Sequence, residues 1–273
     1  MLLIPAPPAR PPVETNISGR PSATWGTTIT GTTANVEGTT VELIAATDFD
    51  VDMLEVMAIG MQVAGSLTNG LVNIKTGASF GHTVIPNILV GMCVDSVNAG
   101  GFGPYIYRFP VRIPAGTRVG ASLRASVASD TCLISVTAYH LGRWAGSMVE
   151  ALGADTATSS GVIITPGAAS EGTFTTVGTT GFAYRAVIMA IGSNSDGSIF
   201  TAGSYAGDLG IGGVVVAGGS NMCWTVANTS EATSIIFSQE RHLTIPSGTV
   251  LQARLQSSGA ANDNPAVVVY GIA

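Results

Sequence analysis

The clearest pattern in the chain is strict alternation between apolar and polar positions. Tyr107, Phe109, Val111 and Ile113 alternate with Arg108, Pro110 and Arg112. That is the period of a strand with one buried face. Pro114-Ala115-Gly116 follows, with a proline that presets φ and a glycine that tolerates positive φ. Alternation resumes at Val119 and runs to Arg124, so the stretch predicts strand, tight turn and return strand. The same phrase recurs as His242-Leu243-Thr244-Ile245-Pro246-Ser247-Gly248-Thr249-Val250. Ile113-Pro114-x-Gly116-Thr117 and Ile245-Pro246-x-Gly248-Thr249 lie 132 positions apart, and so do Ala58-Ile59-Gly60 and Ala190-Ile191-Gly192. Two matches at one offset predict a tandem duplication.

Further strands are predicted at Val41–Ala45, Leu54–Val63, Leu71–Lys75, Val84–Val94 and Cys132–Tyr139. Pro86-Asn87 marks an edge or bulge within one of them. Gly, Asn, Ser and Thr clusters separate these runs. Strands this short and this closely spaced predict β-sandwiches of jelly-roll type. The second half repeats the plan through Ala183–Ile191, Leu209–Val216, Met222–Ala227, Ser234–Thr244, Val250–Leu255 and Ala266–Tyr270. The expected fold is all-β, with two tandem jelly-roll-like sandwiches after an extended Pro-rich arm. The arm is residues 1–24, the first sandwich 25–141, a linker 142–171, and the second sandwich 172–273. Met148–Leu152 is expected to form one helical turn within the linker.

Composition sharpens this picture. The 273 residues carry only 10% charged side chains and a net charge of −6, with no basic run. That argues against a nucleic-acid partner bound through its phosphates. Mean hydropathy is +0.42, yet no apolar run is long enough to span a bilayer, so no membrane is expected. Lys75 stands alone against ten arginines. Arginine makes fixed multidentate contacts, which suits a component of an assembly. A weakly charged, apolar-leaning surface predicts a homo-oligomer, with a trimer favoured.

Catalytic chemistry is hard to find. The chain has no Gly-Lys pair for a phosphate loop and no GxSxG elbow. His82, His140 and His242 share no metal spacing with one another or with Cys93, Cys132 and Cys223. Three cysteines without a CxxC read as buried free thiols, with a disulfide or metal site as the alternatives. Asp48-x-Asp50-x-Asp52 resembles the start of a calcium loop, but Met53 and Ile59 stand where glycine and glutamate belong. We expect no enzyme, no cofactor and no metal. Trp25, Trp144 and Trp224, with Phe102, Tyr105 and Tyr107, are candidates for stacking on sugars, and the Asn98–Gly103 loop is the first place to look.

Partner contacts are expected at two places. The arm offers an apolar tip, Leu2, Leu3 and Ile4, with Arg10 and Arg20 as anchors. The first sandwich offers Phe102 at a loop tip, and Arg108, Arg112 and Arg118 on one face of the central hairpin.

Four stretches then carry a resemblance: Thr40–Val51, Leu71–Ile74, Val84–Leu89 and Phe109–Arg118. They resemble β-sandwich structural proteins of tailed-bacteriophage virions, over roughly residues 25–141 and more weakly 172–271. The resemblance implies a virion component assembled in the host cytoplasm: a capsid decoration, a spike or fibre base, or another head or tail surface protein. Its partners would be other virion proteins. It carries no catalytic residues over. The alternative is a receptor- or carbohydrate-binding tail protein that meets a host-surface glycan.

Overall fold

The structure is a computed structural model. It describes residues 16–17, 26–62, 68–94, 105–142, 144–154, 161–192, 203–216, 219, 222–226, 236–237, 241–258 and 265–273. Among these residues every regular element is a strand.

The first half holds β1 (Asn16–Ile17), β2 (Thr27–Thr30), β3 (Val41–Ile44), β4 (Met53–Gln62), β5 (Thr68–Thr76), β6 (His82–Val94), β7 (Tyr105–Phe109), β8 (Val119–Ala125) and β9 (Thr131–Tyr139). One layer pairs β2 with β9, β9 with β4, and β4 with β7. The other pairs β3 with β8, β8 with β5, and β5 with β6. A short parallel contact, Gly60–Gln62 of β4 with Met92–Val94 of β6, ties the layers at one corner. This is jelly-roll connectivity, in which successive strands cross between layers.

The second half holds β10 (Val149–Leu152), β11 (Val162–Ile163), β12 (Gly167–Ala168), β13 (Thr175–Thr179), β14 (Tyr184–Gly192), β15 (Gly203–Ile211), β16 (Val214–Val215), β17 (Met222–Val226), β18 (Ile236–Phe237), β19 (Arg241–Ile245), β20 (Val250–Ser257) and β21 (Ala266–Ile272). Its pairings repeat the first half. β14 lies between β21 and β19, as β4 lies between β9 and β7. β20 lies between β13 and β15, as β8 lies between β3 and β5.

The repeat extends to single bonds. Thr47 Oγ1 donates to Pro114 O at 2.8 Å and accepts from Thr117 N at 3.1 Å. Thr180 Oγ1 donates to Pro246 O at 2.8 Å and accepts from Thr249 N at 3.0 Å. Gly116 and Gly248, at φ +75° and +76°, donate to Thr47 O and Thr180 O. Positive φ explains why both turns need glycine. Four residues beyond each clamp, Val51 faces Ile113 and Tyr184 faces Ile245. The Ile-Pro-x-Gly-Thr match is therefore a structural equivalence. The Ala58 and Ala190 match is one residue out of register. Leu54 faces Phe109 and Ala138, while Val187 faces Arg241 and Gly271, so the offset along this strand is 133.

Three expectations need correction. Tyr107–Arg124 is not a hairpin, because β7 pairs with β4 in one layer and β8 with β3 and β5 in the other. The turn crosses the sandwich, and alternation alone cannot distinguish a return strand from a crossing one. Residues 142–171 are not merely a linker. β10 and β11 pair with β21, and β12 pairs with β20, so Met148–Leu152 is largely strand rather than helix. Val149 and Leu152 turn into the core. Finally, Asn16 and Ile17 face Ala138 and Thr137 of β9. Part of the expected arm thus belongs to the first sheet.

Candidate functional site

Two places combine unusual side chains with defined geometry: the joint between the sandwiches, and a cleft beside the chain that connects them.

The joint forms because β10, β14 and β21 carry apolar side chains on both faces. Val187, Met189, Ile191, Val267 and Val269 face the second core. Ala186, Ile188, Ala190, Val268, Tyr270 and Ile272 belong instead to the first half's core, with Val149 and Ala154. Runs that are apolar without alternation are the signature of strands buried on both sides. Tyr270 is fully buried, edge-on to Tyr107 at 6.0 Å and Phe109 at 5.5 Å between ring centres. Its hydroxyl accepts from Leu89 N at 2.7 Å and donates to Asn87 O at 3.0 Å. Tyr107 Oη donates to Leu89 O at 2.7 Å. Burial pushes both phenols well above their ordinary range, so they stay neutral. Asn87 sits at φ +49°, donating from Nδ2 to Ala154 O at 2.6 Å and from its backbone N–H to Asn73 Oδ1 at 2.7 Å. The Pro86-Asn87 interruption in β6 is therefore where the second half docks.

The cleft, about 200 Å³, is lined by Asp50, Val51, Asp52, Arg112, His140, Gly142 and Ala145. Residues 144–148 run as a strap from β9 to β10, passing beside the end of β7. Gly146 N donates to Pro110 O, and Arg112 N donates to Gly146 O, both at 2.8 Å. Asp50 Oδ1 accepts from Ala115 N at 2.8 Å. Both oxygens of Asp52 accept from Leu141 N, at 2.8 and 2.9 Å. His140 Nδ1 meets Asp50 O at 2.7 Å and lies 3.9 Å from Asp52 Oδ2. Two of the three carboxylates of the calcium-like sequence thus hold backbone N–H groups. Among the described residues no group of three His, Cys, Asp or Glu side chains is placed to hold a metal ion.

The expected site residues do not share one surface. Arg108 lies on the outer face of the first layer, 2.7 Å from Glu55. Arg112 lines the cleft. Arg118 lies on the opposite layer, paired with Glu42 at 2.5 Å and stacked over Phe80 at 4.7 Å, with a further bond to Ala78 O. The expectation of a common face fails because the turn crosses the sandwich between Arg112 and Arg118. Leu2, Leu3, Ile4, Arg10, Arg20 and Phe102 lie outside the described residues, as does Trp25. Tyr105 and Tyr107 are buried and cannot stack on a ligand. Trp144 is 36% exposed and packs edge-on to His242 at 6.2 Å. Cys132 is buried, and burial pushes its thiol up to about 12. Sequence reasoning weighed His140 only as a metal ligand and did not single out Tyr270 or the two clamp threonines. The 133-residue spacing of Thr47 and Thr180 was the one available signal.

No protein-family model matches the chain. No curated protein matches it. Solved structures do resemble it. The chain covers 90% of a chain of Sulfolobus Turreted Icosahedral Virus with 95% of its own length, at 12% identity and TM-score 0.39. It covers 96% of PNGase F, a glycosylasparaginase from Flavobacterium meningosepticum, with 96% of its own length, at 8% identity and TM-score 0.38. It spans 65% of the length of PNGF-II, with 95% of its own length, at 10% identity and TM-score 0.40. Likenesses at this level carry no argument about activity.

Proposed function

We propose that the protein is a non-enzymatic structural subunit of a tailed-phage particle, a capsid decoration or other head or tail surface component that bridges neighbouring subunits. The joint is the observation that supports this most. The first jelly roll's core takes in one face of the second's β14–β21 sheet, with a buried tyrosine bonded across the joint, so the two form one stiff block. A bridging subunit needs fixed geometry between its contact faces, and a joint built like a protein interior supplies it. The sparse charge and the single lysine fit burial against neighbours. Copies of the chain associate with one another in this reading, as trimers. The test is the number of copies per purified particle, by quantitative mass spectrometry. Hundreds would mark a head or tube component, and a few to tens a spike, collar or tail tip. Absence from purified particles would overturn the proposal.

A further inference from the structure

The second half of the molecule serves as an internal control for the first. Both halves keep the same threonine clamp and the same turn, so residues needed only for that frame should recur. The cleft residues do not. At the 133-residue offset of β4 and β9, Asp50 corresponds to Ala183, Asp52 to Arg185 and His140 to Ala273; at the 132-residue offset of the turn, Arg112 corresponds to Thr244. The second sandwich builds the same frame with none of these four groups.

We propose that the Arg112 cleft binds one ring of a neutral sugar. Asp50 Oδ1 is engaged by Ala115 N, leaving Oδ2 as an acceptor. His140 Nδ1 lies 2.7 Å from Asp50 O, which leaves Nε2 to meet a ligand hydroxyl. The Arg112 guanidinium has no partner among the described residues and adds a rigid fork of donors. A ligand matching acceptors and donors side by side must offer both on adjacent atoms, as vicinal hydroxyls do. Asp50 and Asp52 repel an anion such as phosphate, and Arg112 repels a cation such as calcium. The volume of about 200 Å³ suits a single ring. Trp144 does not line the cleft and packs on His242, but it sits on the strap that brings Gly142 and Ala145 there, so its fluorescence reports on the strap. The site does not depend on where in a particle the chain sits, so copy number and sugar binding fail separately.

The test is titration of the full chain with free glucose, galactose, mannose, N-acetylglucosamine and N-acetylgalactosamine, with inorganic phosphate and calcium as competing chemistries. The readouts are the amide signals of Leu141, Gly142, Ala145 and Gly146 and the fluorescence of Trp144, assigned with a Trp144→Phe variant. At least one sugar is expected to shift them saturably. Arg112→Ala is expected to weaken that sugar at least tenfold, while Arg118→Ala, on the other layer, leaves it unchanged. Because Arg112 bonds the strap through its backbone, the variant should keep its melting temperature. No response to any sugar, a response to phosphate or calcium instead, or undiminished binding by Arg112→Ala would each overturn the proposal.

Discussion

The same sheet face has opposite fates in the two halves. In the second half it is buried in the joint, with Ile188 opposite Tyr270 at its centre. In the first half the equivalent pair is Glu55 opposite Thr137. Glu55 there binds Arg108, whose side chain is 70% exposed, and Met53, Met57, Ile59 and Leu133 around it are only partly covered. Backbone, register and neighbours correspond, so the side chains alone decide which face docks. A hydroxyl and an ion pair also prevent the docking from repeating, since a third sandwich on this face would bury Glu55 and Arg108 at a desolvation cost.

The largest break in this comparison should come from Tyr270→Ala. It removes a fully buried ring and is expected to cost about 3–5 kcal/mol, read by chemical denaturation. Tyr270→Phe keeps the ring but strands Leu89 N–H and Asn87 O, at about 1–3 kcal/mol. Thr137→Ala, at the equivalent position, should stay within about 0.5 kcal/mol. Equal losses at positions 270 and 137 would mean the two faces do not differ as described.

The clamps test the shared frame. Thr47→Val and Thr180→Val each remove one donated and one accepted hydrogen bond, with an expected loss of about 1–2 kcal/mol apiece. Similar losses in thermal unfolding would support equivalent turns. A loss at only one would show that the repeat is geometric rather than energetic.

A smaller effect distinguishes the outer faces of the other layers. In the first half Glu37 accepts from Asn73 Nδ2 at 2.8 Å and Ser122 Oγ at 2.5 Å, and pairs with Lys75 at 2.7 Å. The second half answers at the same place with Arg254, paired to Asp208 at 2.8 Å and Glu171 at 2.5 Å and stacked on Phe174. Burial alone would raise the Glu37 carboxyl; its bonds to Lys75, Ser122 and Asn73 and the charge of Lys75 outweigh this and hold it at about 2. A carboxyl depressed on folding stabilises above its unfolded pKa and loses that contribution as pH falls toward 2. Glu37→Gln should therefore flatten the acid limb of stability between about pH 5 and pH 2 and leave its neutral slope unchanged. An unchanged acid limb would show that Glu37 is not held in this network. A small effect is also expected from Arg108→Ala, below about 1 kcal/mol and reduced further by salt, because the Arg108 side chain is 70% exposed.

Much of the fold was legible because strand chemistry is local. Period-2 alternation marked Tyr107–Ile113, and turn residues marked Pro114–Gly116 and Pro246–Gly248. The repeat could be read because both turns need proline and a positive-φ glycine at fixed spacing. Ala266–Tyr270 could be read as a strand, but its lack of alternation reflects burial on both faces, which only the structure showed. The strands of 149–168 were missed because runs of four residues or fewer hold no period of their own. They are strands only because β20 and β21 offer free edges.

What the sequence by itself determined is therefore most of the longer strands, the two turns and their repetition, since these rest on interactions among near neighbours in the chain. Tertiary structure alone decided which layer each strand entered, that Tyr270 would enter a core 163 residues upstream at Tyr107, and that Asp50, Arg112 and His140 would meet. Those outcomes depend on contacts between segments far apart in the chain, whose pairing energy is set by complementary surfaces and carries no mark in the local pattern.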